Sequence, residues 1–287
     1  ALRGFDTPNC NRMAREGIMF GRMYTEPSCT PSRAAVITGR HAIRNGMHTV
    51  AFPIENSGMS GEEVTSAEVL SSAGYATAFY GKWHLGDVEE SYPHNQGFDE
   101  TLFVPYNQVL IIYNKQGETA NAVIGARPET MPEDRYHLDD TFVPEGWLMA
   151  MEGKKGELGR EWGNREMEDW DPLEEECRNR TLDFIRRNAK EKKPFYAVYW
   201  PSETLNLAPI PERKTPARSA LAERFQYGTD AFIGQVMDEL EALGIAENTL
   251  LVCNADNGPM VHDPPAGMGQ SEIMFRGGKG DFWEGGI

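Results

Sequence analysis

Hydrophobic and polar positions along the chain switch repeatedly between a helical period and short apolar runs. Glu62 to Ala73 has helical character, Gly74 is placed to cap it, and Tyr75 to Tyr80 is rich in β-forming residues. From Glu174 to Lys192, the positions Cys177, Thr181, Phe184, Ile185 and Asn188 share one helical face. Pro194 then stops the helix, and Phe195 to Trp200 reads as a compact strand. Further on, Leu221, Phe225, Phe232, Ile233, Val236, Met237, Leu240 and Leu243 mark another face, closed by Gly244 and followed by an apolar run from Thr249 to Cys253. Each β-rich run leads into a polar motif. These are Gly81-Lys82-Trp83-His84-Leu85-Gly86, Pro201-Ser202-Glu203-Thr204-Leu205-Asn206 and Asn254-Ala255-Asp256-Asn257-Gly258. Helices alternating with near-continuous apolar strands predict an α/β fold, a mostly parallel sheet with helices on both faces. Ligands bind such sheets outside the carboxyl ends of the strands, so all three motifs are expected on one edge, around a single site.

Between Lys115 and Asp171 the periodicity is lost. The stretch reads as an insertion within the domain, either a solvated segment packed on its surface or a substrate-selecting lid to which His137, Asp139 and Asp140 contribute. The 287 residues are enough for one large domain with a buried core. The net charge of −16 argues against a nucleic-acid partner, because phosphate backbones are met with basic surface. An anionic substrate would need a local cluster of Lys and Arg to override that field. No apolar run approaches the roughly 18 residues of a membrane span. The opening residues, Ala1-Leu2-Arg3-Gly4, do not read as a signal peptide.

Four cysteines, at 10, 29, 177 and 253, are widely spaced and form no CxxC pair, so neither a disulfide framework nor a zinc site is indicated. Cys10, Cys177 and Cys253 read as small buried hydrophobes. Cys29 differs because of its surroundings, Ser28-Cys29-Thr30-Pro31-Ser32-Arg33 with Thr38-Gly39-Arg40 downstream. Thr30 reads as a helix N-cap, Pro31 as the first helical residue and Gly39 as the stop. That places Cys29 just before a helix N-terminus, where amide dipoles favour an anion and lower a thiol's pKa, with Arg33 projecting from the first turn.

This string resembles the signature of the type I sulfatases, within the alkaline-phosphatase-like superfamily. The resemblance extends along the chain. Thr7-Pro8-Asn9 with Arg12 to Gly17 looks like the family segment before the signature, Gly81 to Gly86 its second signature, and Asn95-Gln96-Gly97-Phe98-Asp99 a downstream element. Asp256-Asn257-Gly258-Pro259 and Gly278-Lys279-Gly280 with Glu284-Gly285-Gly286 follow in family order. The resemblance implies hydrolysis of aryl or carbohydrate sulfate esters. A formylglycine-generating enzyme would oxidise Cys29 to formylglycine (3-oxoalanine). One hydroxyl of the hydrated aldehyde attacks sulfur and the alcohol leaves; the other then loses its proton and expels sulfate. Arg33 would hold the hydrate, and His84 would take the proton during sulfate release. Lys82 and Lys279 would bind sulfate oxygens. Asp256 and Asn257, with the modified Cys29, would ligate a divalent cation, usually Ca2+, with Mg2+ or Mn2+ as alternatives.

The sequence also departs from the family pattern. A pair of adjacent aspartates, two further cation ligands, is expected upstream of Thr7 and is not found; the chain reads as the larger part of an N-terminal catalytic domain, truncated at both ends. Asn206 falls where relatives place a histidine that protonates the leaving alcohol, and Asn107 where some have a sulfate-touching serine. Two other readings keep the motifs. One is a phosphonate monoester or phosphodiester hydrolase, which shares the Cys-x-Pro-Ser-Arg string. The other is a relative that binds sulfated ligands without cleaving them. Export to the periplasm or medium is a family expectation, and the oligomeric state is not legible.

Overall fold

The structure, a computed structural model, describes residues 6–51, 56–106, 109–113, 119–123, 136–137, 150–162, 170–201, 225–258 and 275–287. Its helices are α1 (Pro8–Glu16), α2 (Cys29–Thr38), α3 (Ser66–Ser72), α4 (Trp170–Glu191) and α5 (Ala231–Ala242), the last preceded by a π-helical turn at Phe225–Asp230. The strands are β1 (Ala76–Lys82), β2 (Glu100–Val104), β3 (Val109–Tyr113), β4 (Thr119–Val123), β5 (Tyr136–His137), β6 (Ala150–Lys154), β7 (Arg160–Trp162) and β8 (Phe195–Trp200). The chain divides into two compact units, Cys29–Ala208 and a second made of Ala1–Ser28 with Pro209–Ile287.

The larger unit is built on a five-stranded sheet of order β7-β6-β2-β1-β8. β1 pairs in parallel with both β2 and β8, while β6 and β7 add as antiparallel strands at one edge. The expected parallel core is therefore present. The stretch expected as an insertion, 115–171, also feeds β6 and β7 into this sheet, and β4 and β5 form a small sheet with β3. β1 is buried along its whole length, as a central strand covered on both faces must be. Ala76, Ala78 and Tyr80 point to one face and pack with Leu173, Cys177 and Phe184 of α4. Phe79 points to the other face, with Phe103 and Val198, against Ala34 and Ile37 of α2 and Ala67 of α3. The period-2 alternation of β1 thus specifies a helix layer on each side.

The helix expected from Glu62 starts later, at Ser66. Thr65 and Glu68 form a capping box: the Thr65 hydroxyl accepts from Glu68 N at 3.1 Å, and Glu68 Oε2 accepts from Thr65 N at 2.8 Å. The Phe195–Trp200 strand lies where the apolar run placed it.

In the smaller unit, α1 packs on α5. The buried Asp230 carboxylate caps α1 across the chain, accepting from Cys10 N at 2.8 Å, Asn9 N at 3.2 Å and Asn9 Nδ2 at 3.1 Å. Arg12 reaches from α1 to Asp238 and Glu241 on α5. The strand expected at Thr249–Cys253 is not formed. A strand needs a partner to close its ladder, and the described residues of this unit contain none; Leu250 and Val252 stand 89 % and 68 % exposed. Leu221, on the predicted helical face, lies outside the described residues. Among the described residues no helix is long and apolar enough to cross a membrane.

Candidate active site

The carboxyl end of β1 and the amino end of α2 are tied together side chain by side chain. α2 begins at Cys29 itself, so Thr30 is not its cap. The Thr30 hydroxyl instead donates to the His84 carbonyl at 3.0 Å and accepts from Ala51 N at 3.1 Å. Arg33, one turn on, donates from Nη1 to the Lys82 carbonyl at 2.5 Å. Its guanidinium lies 4.8 Å from the centre of the Trp200 ring, which stacks on Trp83 at 6.2 Å. Cys29, Arg33, Lys82 and His84 are all buried. Two buried cations and a helix N-terminus thus converge on one strand end in a chain whose net charge is −16, the local override an anion site requires.

The Gly81–Gly86 string folds as it does for steric reasons. β1 runs so close to β8 that a Cβ on Gly81 would lie 2.1 Å from the Trp200 carbonyl oxygen, and Gly81 has φ +103°. Trp83 and Leu85 are fully buried anchors, and the Trp83 indole donates to Ser91 O at 2.7 Å. Between them His84 adopts φ +62°, a left-handed backbone that costs energy for a non-glycine residue and is held here by its packing. The His84 ring stands edge-on to Tyr106 at 5.6 Å, and its Nε2 lies 3.1 Å from the Ala51 carbonyl. A carbonyl only accepts, so Nε2 carries the hydrogen and the buried Nδ1 is the basic ring nitrogen.

The smaller unit holds the remaining motifs. Asp256 and Asn257 sit in a bend. Asn257 Nδ2 donates to Gly258 O at 2.7 Å, which fixes the amide orientation; its Oδ1 is buried and has no hydrogen-bond partner among the described residues. An orphaned buried carbonyl oxygen beside a carboxylate suits a hard cation, so these two side chains fit as oxygen ligands. Among the described residues no cluster of three or more His, Cys, Asp and Glu could close a full shell alone. Gly258 meets the last motif backbone to backbone: its N–H donates to Gly286 O at 2.9 Å, and a Cβ there would fall 1.8 Å from Gly285 O. Lys279 lies in a turn closed by Asp281 N to Gly278 O at 2.8 Å, with Asp281 Oδ2 accepting from Gly278 N at 3.0 Å.

The structure thus brings together four of the residues expected from the motifs, Cys29, Arg33, Lys82 and His84, on supports that the sequence reading missed. Trp200 beneath Arg33 and the Ala51 carbonyl beside His84 come from segments with no motif of their own. Asn107, Asn206, Asp139 and Asp140 lie outside the described residues; His137 falls in β5.

The sulfatase family profile matches residues 3–287. Human arylsulfatase A is 33 % identical over 98 % of this chain, and human N-acetylgalactosamine-6-sulfatase 31 % identical over 98 %. The chain spans about half the length of these relatives, 52 % and 51 %. Among solved structures, the PsFucS1 sulfatase from Pseudoalteromonas sp. superposes with a TM-score of 0.72 at 28 % identity, covering 98 % of this chain and 55 % of its own. Motifs, fold and relatives agree: the chain belongs to the sulfatase family.

Proposed function

We propose that the protein hydrolyses sulfate esters, with Cys29 in its formylglycine form as the nucleophile and a divalent cation held in part by Asp256 and Asn257. The observation that carries this reading is the double tie between α2 and the end of β1, Arg33 to Lys82 O and Thr30 to His84 O, which fixes Cys29 among buried cations. The modification supplies a hydroxyl nucleophile with a second hydroxyl to regenerate the aldehyde, and the cation, most simply Ca2+, favours its ionisation. The chain's own residues do the rest. Arg33, immobilised on Trp200, orients the nucleophile; Lys82 and Lys279 offset charge developing on the sulfate oxygens; His84 accepts a proton at Nδ1. Maturation requires a formylglycine-generating enzyme as partner.

A matched panel of an aryl sulfate and an aryl phosphonate monoester tests the reading on protein from the native host. Preferred turnover of the sulfate is expected. Preference for the phosphonate would transfer the protein to the rival hydrolase class, and binding without turnover of either would make it a non-catalytic relative.

Asn206 sets a further expectation within the same proposal. An amide donates a hydrogen bond but cannot protonate a leaving alkoxide. Activated aryl sulfates are therefore expected to turn over well and alkyl sulfates poorly, with Asn206→His recovering about 10²–10⁴-fold on the alkyl ester. Equal rates on both esters in the unaltered protein would contradict this.

A further inference from the structure

Thr38 and Thr181, both within helices, donate their hydroxyls to the carbonyl four residues back, Ala34 O and Cys177 O, each at 2.7 Å. Thr30, fully buried, is the second residue of α2 and stands too near the helix start for that local bond. Its hydroxyl joins two distant segments instead. It donates to the His84 carbonyl, 54 positions away, at 3.0 Å and accepts from Ala51 N at 3.1 Å. Ala51 in turn offers its own carbonyl to His84 Nε2 at 3.1 Å. The bonds close a ring, from the Thr30 hydroxyl to the His84 backbone, from the His84 imidazole to Ala51, and from Ala51 back to Thr30. Further contacts on His84 come from the chain after β2, where Pro105 O accepts from its N–H at 2.9 Å and Tyr106 meets its ring edge-on.

From this ring we infer that Thr30 is a positioning residue for His84, and through it for the proton transfer proposed above; the inference rests on that reading for the part His84 plays. Nε2 keeps its hydrogen because it faces a carbonyl, which leaves Nδ1 with the lone pair that takes a proton. The Ala51 carbonyl selects this tautomer only while Ala51 itself is held, and its N–H is held by Thr30. The same hydroxyl grips the His84 carbonyl, across a left-handed backbone at φ +62° that must be constrained to persist. One hydroxyl therefore fixes both the direction of the imidazole and the nitrogen that accepts. Its place directly after Cys29 ties that geometry to the nucleophile, so base and nucleophile are set by the same turn of α2. A side chain of the same shape without the hydroxyl would release the His84 carbonyl and leave a buried N–H at Ala51 without its acceptor.

The test compares Thr30→Val, which removes the hydroxyl at nearly constant shape, with Thr30→Ser, which keeps the hydroxyl and drops the methyl. Rates on the native, full chain are referred to the fraction modified at position 29, read from the mass of the peptide 23–33. Thr30→Val is expected to lower kcat for an aryl sulfate by about 10²-fold with KM little changed, the usual cost of a displaced reacting group, and Thr30→Ser to keep most of the rate. A second readout does not depend on turnover. Long-range proton–nitrogen spectra of isotope-labelled histidine rings in mildly alkaline buffer report the tautomer of His84, whose signal is identified by its loss in His84→Asn. A single Nε2–H tautomer is expected in the unaltered protein and in Thr30→Ser, and a mixture in Thr30→Val. An Nδ1–H tautomer in the unaltered protein would overturn the inference. So would an unchanged tautomer or an unchanged kcat in Thr30→Val, or a loss in Thr30→Ser equal to that in Thr30→Val. If the tautomers behave as expected while even the unaltered, modified protein fails to cleave the ester, the hold of Thr30 on His84 stands and the proposed function falls.

Discussion

Arg33→Leu is expected to lower kcat/KM for an aryl sulfate by about 10²–10³-fold, the usual cost of losing one preorganised donor at a developing charge. The same change removes the bond to the Lys82 carbonyl and the contact with Trp200, so stability is also expected to fall, by about 2–4 kcal/mol. Arg33→Lys separates the two effects. It keeps the positive charge but loses the planar group that lies on the indole while Nη1 donates to the Lys82 carbonyl. Little activity is expected to return, because a flexible ammonium does not hold position against a ring 4.8 Å away. Steady-state kinetics and urea midpoints on the three proteins check this, and near-normal turnover by Arg33→Leu would remove Arg33 from the site.

Gly81→Ala is expected to be the most damaging single methyl in the larger unit. The added carbon would stand 2.1 Å from the Trp200 carbonyl oxygen, and the backbone there has φ +103°. A clash with backbone cannot be relieved by rotating a side chain, so β1 and β8 must separate or the turn must change. Either response costs about 3 kcal/mol or more, counting backbone strain and lost packing. Lys82 ends the strand directly after this point and Trp83 and His84 follow it, so any relaxed protein is expected to lose turnover as well. Urea unfolding followed by tryptophan fluorescence reads the stability, and an unchanged midpoint would show that the strand spacing is not as tight as described.

How much of this was legible beforehand depends on whether a feature is local. Phe195–Trp200 could be read from its own composition, an apolar, β-forming run bounded by Pro194 and Pro201, although as the last strand of the sheet it is only partly buried. Cys29, Arg33, Lys82 and His84 announced themselves through motifs. The start of α2 did not, since Thr30, a good cap by type, is drawn instead to His84 and Ala51. Thr249–Cys253 is apolar enough for a strand, yet a strand also needs a neighbour, which composition alone cannot report.

The chemistry proposed for this site stands on one residue, and one mass measurement tests it. Protein purified from its native host and digested with trypsin yields the peptide Met23–Arg33. Formylglycine at position 29, seen as the mass of an aldehyde in place of the thiol and captured by a hydrazide reagent, is the predicted result. An intact thiol at Cys29 in that same protein would contradict it.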